Sequence, residues 1–146
     1  MHTNFIIREF ISSDFPELIL LWESLGLGSA QRGDDEKVIQ RTIQLGGQLL
    51  LMIEKGTDSI IGSSWLTLDG RRTFLHHFGI KAEYQGKGLA KILLDASLKL
   101  AKTYGMQIKL EVHKDNIKAL GLYQKAGFSY LGDYHVYIIR DISTIV

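Results

Sequence analysis

A glycine-bearing turn, Glu83-Tyr84-Gln85-Gly86-Lys87-Gly88-Leu89-Ala90, joins a strand-like run to a long helix-like run. A turn of this kind suits an anion. The first N–H groups of a helix have no intrahelical acceptor, and the helix dipole adds roughly half a positive charge there. Glycine lets the backbone approach a ligand with no Cβ in the way. Further along, Asn116 and Tyr123 stand seven residues apart, so on a helix an amide and a phenol share one face roughly 10 Å apart. That arrangement suits a long amide-bearing ligand running beside the helix. It equally suits a helix that Asn116 caps and in which Tyr123 packs beside Leu120. The adjacent His76 and His77 add titratable groups, and strand alternation sends them to opposite faces, so one at most faces a given cleft easily.

Two nucleotide readings of the turn fail on spacing. A P-loop needs four residues between its first glycine and a Gly-Lys-Ser/Thr, which the chain lacks. A dinucleotide fingerprint needs a third glycine at position 91, where Lys91 stands. A phosphate-binding turn of another kind remains.

The elements that must hold these residues are legible from periodicity. Asn4 to Phe10 reads as a strand, and Asp14 with Glu17 as a box-like helix start with Pro16 in the first turn. Leu18, Leu21, Trp22 and Leu25 then recur at helical spacing. Gly26 to Gly33 is a flexible break with the character of a connection or of a substrate-covering loop. A second helix is expected from near Asp34 to Gly46-Gly47, where the acids Asp34, Asp35 and Glu36 favour the dipole or form a rim for a cationic amine. Gln48–Glu54 and Ser59–Leu68 read as a hairpin, and Thr73–Ile80 as a further strand. Leu89, Leu93, Ala96 and Leu100 mark a helix that Gly105 ends. Ile108, Leu110 and Val112 alternate with Lys109, Glu111 and His113 as a strand. A last helix runs from about Asn116 to Ala126, and the aromatic stretch Phe128 to Arg140 supplies two closing strands around Gly132-Asp133. The order β-α-α-β-β-β-α-β-α-β-(β) predicts an α/β fold, a central mixed sheet with helices on both faces.

Composition bounds the rest. The chain has 146 residues, 45% apolar and 23% charged, enough for one domain over 1–146 with a real core. A net charge of +1 and no basic stripe argue against nucleic acid. There is no cysteine, hence no thiolate metal site and no thiol nucleophile. The longest apolar run, Leu18 to Trp22, cannot cross a bilayer, and Met1-His2-Thr3-Asn4 carries no secretory pattern, so a cytoplasmic protein is expected.

Two blocks carry a resemblance. Gln85-x-x-Gly88-x-Ala90 resembles the Q/R-x-x-G-x-G/A signature of the GCN5-related N-acetyltransferase (GNAT) superfamily. Leu110-Glu111-Val112 followed by Asn116, Ala119, Leu122-Tyr123 and Gly127-Phe128 resembles its second block, most closely that of ribosomal-protein N-terminal alanine acetyltransferases. The two blocks span Phe78 to Phe128 in the expected order. The resemblance implies a mostly antiparallel, splayed mixed sheet and acetyl-CoA as co-substrate, with no metal. It implies that backbone groups of Phe78 and Ile80 pair with the pantetheine amides. By the same carry-over Gln85, Gly86, Lys87, Gly88, Leu89 and Ala90 form the pyrophosphate loop, Asn116 bonds the pantetheine arm and Tyr123 protonates the departing thiolate. Glu111 is its proposed general base, with His76, His77, His135 or a water relay as rivals. Ala82 stands where the family often has proline, which loosens the loop without removing a phosphate donor.

The chemistry needs these types. An alkyl amine with a pKa near 10 is almost wholly protonated at neutral pH, so a base or a desolvating pocket is required. A thiolate with a parent pKa of about 8.5 can take its proton from a phenol within reach. The expected activity is acetyl transfer from acetyl-CoA to an amine by direct attack, the acceptor being a small amine, an amino acid or a protein N-terminus. A catalytically silent CoA-binding regulatory module is the alternative, and pairing of two copies through sheet edges is an expectation by analogy.

Overall fold

The structure, a computed structural model, describes residues 4–28 and 33–146. The central part of the expected Gly26–Gly33 break and the first three residues therefore lie outside the described residues. The chain divides into two compact units, Met1–Glu111 and Val112–Val146.

The first unit holds β1 (Phe5–Glu9), α1 (Phe15–Ser24), α2 (Glu36–Gln44), β2 (Gln48–Glu54), β3 (Ile60–Leu68), β4 (Arg72–Ile80), α3 (Leu89–Tyr104) and β5 (Gln107–Leu110). The five strands form one sheet in sequence order. The first three pairings are antiparallel and β4–β5 is parallel, because α3 makes the crossover between them. This is the mixed α/β architecture that the element order predicts.

Helices cover both faces, and two neighbouring serines on β3 report it. Buried Ser63 accepts a hydrogen bond from Trp22 Nε1 of α1 at 2.8 Å, while Ser64 shares one with Ser97 of α3 at 2.6 Å. Successive strand residues point to opposite faces, so α1 and α3 lie on opposite sides. On the α1 side, Leu18, Leu21 and Trp22 pack with Ile39 of α2 and with Leu49, Leu51, Ile53 and Trp65 of the sheet. Leu89, Leu93 and Leu94 bury the inner stripe of α3. Gly105, at φ 73°, ends that helix in the left-handed conformation that glycine adopts without a Cβ clash.

Three expectations change. Asp14 does not cap α1 with its side chain: it takes a bidentate pair of bonds from Arg8 at 2.8 Å each and one from Ile11 N at 2.9 Å. Glu17 reaches across to the sheet, where its Oε2 accepts from Ile60 N at 2.7 Å. Thus the acids near the first helix tie it to strands instead of forming a local box. The α2 cap is Asp35, whose carboxylate accepts from Val38 N at 2.9 Å, so Asp34 lies outside the helix.

The second unit contains α4 (Ile117–Lys125) and a short 3₁₀ turn at Ile142–Thr144, with no strand among its residues. The two closing strands expected over Phe128–Arg140 are not formed. Tyr130, Tyr134, Val136, Tyr137, Ile138 and Ile139 are exposed. Alternating apolar character defines a face, whereas a strand also needs a partner ladder to bond its backbone.

The Arg8–Asp14 bond holds the Asp14 carboxyl below the ordinary 3.8, with the Ile11 N–H adding to it and burial opposing. A depressed acid contributes stability that is complete above its unfolded pKa and is lost as pH falls through the folded value. Asp14→Asn is expected to cost about 2 kcal/mol at pH 7 in urea unfolding. Its curve and the wild-type curve should converge as the pH drops below 3.8.

Candidate active site

The end of β4 organises the first unit's functional residues. Its ladder with β3 pairs Ser63 with Gly79 but Trp65 with His76, so β4 holds one extra residue opposite Ser64. The bulge places His77 at φ 46°, a left-handed conformation that is rare for a residue with a Cβ. Three contacts hold it there. Ser63 Oγ donates to the His77 carbonyl at 2.7 Å while accepting from the Trp22 indole. The His77 ring lies 4.4 Å from the Trp22 ring and 5.2 Å from that of Trp65, measured between centroids. Its Nε2 is 3.1 Å from Asp34 Oδ2.

The bulge overturns the expectation that the two histidines face opposite ways. The His76 ring lies 6.0 Å from Trp65 and stacks at 6.2 Å on Phe74, so both imidazoles gather around Trp65. Thr67 Oγ1 lies 2.8 Å from His76 Nε2 and fixes that ring. Desolvation among these groups, with His77 alongside, lowers the His76 pKa to about 4, so its imidazole is neutral at pH 7.

Beyond the bulge, the strand leads to the glycine turn. The β4–β5 ladder ends at Leu75 opposite Leu110, while β4 itself continues through Phe78 to Ile80. A 3₁₀ turn, Ala82–Tyr84, follows. Gln85 Nε2 donates back to the Ile80 carbonyl at 2.7 Å, pinning the turn to the strand end. That carbonyl, one of the groups expected to meet the pantetheine, is thus already engaged once. Tyr84 donates to Glu54 Oε1 at 3.1 Å, and Lys87 Nζ lies 5.4 Å over the Tyr84 ring.

Gly86 and Gly88 have φ 77° and 80°, and Gly88 is the N-terminal cap of α3. A Cβ at Gly86 would meet nothing within 4 Å, so the turn opens onto free space on that side. The first turn of α3 contains no acidic residue to quench the dipole. Leu89 is buried and anchors the helix start, whereas Ala90 is half-buried. The group that fits here is an anion bound by main-chain N–H groups, which is what a pyrophosphate requires.

Glu111 is exposed and lies one residue past β5. In the second unit, Asn116 caps α4, its Oδ1 accepting from Ala119 N at 3.3 Å. Tyr123 is buried, edge-on to Phe128 at 5.6 Å, and burial pushes its phenol up to about 12. Of the two sequence readings of Asn116, the structure forms the cap, and the residue is exposed at the start of the Tyr123 helix.

The Acetyltransferase (GNAT) family model matches residues 11–128. The chain belongs to the GNAT family of acetyltransferases. An acetyltransferase of Yersinia enterocolitica is 32% identical over 123 residues, covering 84% of this chain and 86% of that protein. A GNAT-family acetyltransferase from Staphylococcus aureus superposes with TM-score 0.78 at 25% identity, over 90% of this chain and 89% of its own. Glucosamine-6-phosphate N-acetyltransferase from Arabidopsis thaliana shares the fold, with TM-score 0.72 at 17% identity over 94% and 98% of the two chains. The protein is accordingly an acyltransferase of a family that uses acetyl-CoA. Among the described residues no helix is long and apolar enough to cross a membrane, and no cluster of His and acidic residues could hold a metal ion.

Sequence reasoning missed Asp34 as a partner of His77 and Ser63 as the clamp of the bulge. Asp34 left one signal: two adjacent aspartates precede α2, and a helix start needs only one cap. Ser63 left none, because its role depends on a register shift. Ser63→Ala removes the bonds to both the Trp22 indole and the His77 carbonyl. The loss should be about 1–3 kcal/mol in denaturant unfolding, with a changed tryptophan emission.

Proposed function

We propose that the protein transfers an acetyl group from acetyl-CoA to an amine by direct attack on the thioester. The observation that carries this reading is the open, acid-free N-terminus of α3, reached through two left-handed glycines immediately after β4. In this reading main-chain N–H groups from Gly86 to Ala90 hold the pyrophosphate, with Lys87 adding charge. The pantetheine arm runs back along β4, bonding backbone groups of Phe78 and Ile80; a role for Asn116 rests on the family resemblance alone. Residues 1–146 act as one N-acetyltransferase domain.

The reaction balances without a covalent enzyme intermediate. The neutral amine attacks the thioester carbon, the C–S bond breaks, the thiolate takes a proton from Tyr123, and the proton shed by the acylated nitrogen restores the tyrosine. A phenol raised to about 12 is protonated throughout the working range, so its proton is present when the thiolate leaves, while the same shift makes it a weaker acid than a free tyrosine. Glu111, on the resemblance, is one candidate to relieve the amine of its proton; its exposed position adds nothing further to that role.

The test is an acceptor panel followed by CoA release, spanning free amines, amino acids and N-terminal peptides, beside calorimetric titration of acetyl-CoA. Binding together with turnover on at least one acceptor supports the proposal. Binding with no turnover on any acceptor favours a silent CoA-binding module, and no binding ends both readings. Tyr123→Phe is expected to lower kcat about 100-fold while the acetyl-CoA Kd stays within about twofold. Because Tyr123 titrates only near 12, any alkaline limb below pH 10 should persist in this variant.

A further inference from the structure

One side chain ties the turn before α3 to strands on the other side of β3. Phe5 of β1 and Glu54 of β2 stand opposite each other as a pair of the β1–β2 ladder, and β3 separates β2 from β4, the strand that feeds the turn. Tyr84, the last residue of the 3₁₀ turn, touches both members of that pair. Its hydroxyl donates to Glu54 Oε1 at 3.1 Å, and its ring meets the Phe5 ring edge-on at 6.2 Å between centroids. The acceptor is itself held, because Thr57 Oγ1 donates to the same oxygen at 2.8 Å from the β2–β3 connection. The bond to Glu54 raises the Tyr84 phenol above its ordinary 10, so the hydroxyl remains a donor at neutral pH.

The same ring carries a cation. Lys87, between the left-handed Gly86 and Gly88, holds its Nζ 5.4 Å over the Tyr84 centroid, within the range of a cation–π contact. The turn has two other ties, Lys81 N to Ile61 O and Gln85 Nε2 to Ile80 O, each at 2.7 Å, and both end on backbone carbonyls without engaging Lys87. In the acetyl-transfer reading, on which this inference rests, residues 86–90 meet the diphosphate of the donor. We propose that Tyr84, seated on the Phe5–Glu54 pair, is the positioning residue of that turn. It fixes the direction of the backbone N–H groups and stations the Lys87 charge before the donor arrives.

Preorganisation is the reason such a brace matters. An anion held by several main-chain N–H groups gains from all of them only if they point at it together, and ordering a loose turn on binding subtracts from affinity. The two glycines allow the turn its left-handed geometry, and they also leave it conformationally permissive. A brace on Tyr84, two residues before Gly86, opposes that freedom without filling the space at Gly86, where a Cβ would meet nothing within 4 Å. Tyrosine is suited to this by type. Its tip supplies the donor for Glu54 and its ring supplies the π-face for Lys87. Phenylalanine would keep only the second, and leucine neither.

The test uses the intact protein and records acetyl-CoA Kd by calorimetry beside melting temperature. It also records kcat/KM with acetyl-CoA and with S-acetylpantetheine, which keeps the thioester and lacks the diphosphate. Tyr84→Phe should raise the acetyl-CoA Kd about fivefold, and Tyr84→Leu about 20-fold. In a Lys87→Met background the Phe and Leu variants should fall within about twofold of each other. Glu54→Gln keeps an acceptor oxygen and should stay within about twofold of wild type, whereas Glu54→Ala should match Tyr84→Phe. For S-acetylpantetheine, kcat/KM should change by less than about twofold in the Tyr84 variants, and kcat at saturating acetyl-CoA should hold. An unchanged acetyl-CoA Kd in Tyr84→Leu would overturn the assignment, as would equal losses with both donors, which mark general damage to the fold. Wild-type protein that does not bind acetyl-CoA would overturn the donor reading, and the role of Tyr84 with it.

Discussion

The one extra residue in β4 sets the geometry of everything around it. Without it, alternation would carry His77 to the α3 face and leave His76 alone beside Trp65. With it, both rings meet Trp65. The left-handed turn at His77 is unfavourable by itself. It is offset by a buried chain of bonds running from the Trp22 indole through Ser63 Oγ to the His77 carbonyl, each link worth about 1 kcal/mol net and more if left unmade. Because Trp22 is also a fully buried anchor of the α1 core, the bulge is tied to the packing of the whole α1 face.

The same strand feeds the second essential feature, the N-terminus of α3. Lys81 N donates to Ile61 O at 2.7 Å, and Gln85 closes onto the Ile80 carbonyl, so the chain leaves the sheet along a fixed path. Leu89, Leu93 and Leu94 then lock the helix to the opposite face of the sheet. A dipole can act on a ligand only if its end is held where the ligand arrives. Here burial of the helix body fixes the end, and the turn before it is open at Gly86, where a Cβ would meet nothing within 4 Å. The fold thus sets two chemically different features along one strand, an acid-free helix N-terminus past Ile80 and a His–Asp pair at His77.

Legibility of these features from sequence follows their locality. The stripe Leu18, Leu21, Trp22, the left-handed stop at Gly105 and the glycine turn are patterns within a few residues, and each was readable. The β-order and the mixed sheet followed from them. The failures involve partners on other elements. Asp14 and Glu17 read as a helix start because their partners, Arg8 on β1 and Ile60 on β3, lie outside the helical pattern. Phe128–Arg140 read as strands because alternation says which side chains agree, not which ladder receives the backbone. Period two sends the histidines to opposite faces only where the register is unbroken, and the β3–β4 ladder breaks between Ser63 and Trp65.

This contrast explains why the donor half of such an enzyme declares itself before the acceptor half. Phosphate is held by main-chain N–H groups, and the sequence needed to present them is short: glycines at two positions and a helix behind them. Proton transfer from an amine needs a side chain of tuned basicity, and basicity is set by what tertiary packing brings alongside. In this chain Asp34, the ion-pair partner of His77, precedes the α2 cap, and the clamp of the His77 backbone comes from the middle of β3. Neither residue belongs to the two blocks by which the family is recognised. A conservative change at Asp34 or Ser63 would therefore alter the packing of His77 while leaving every recognisable donor motif intact.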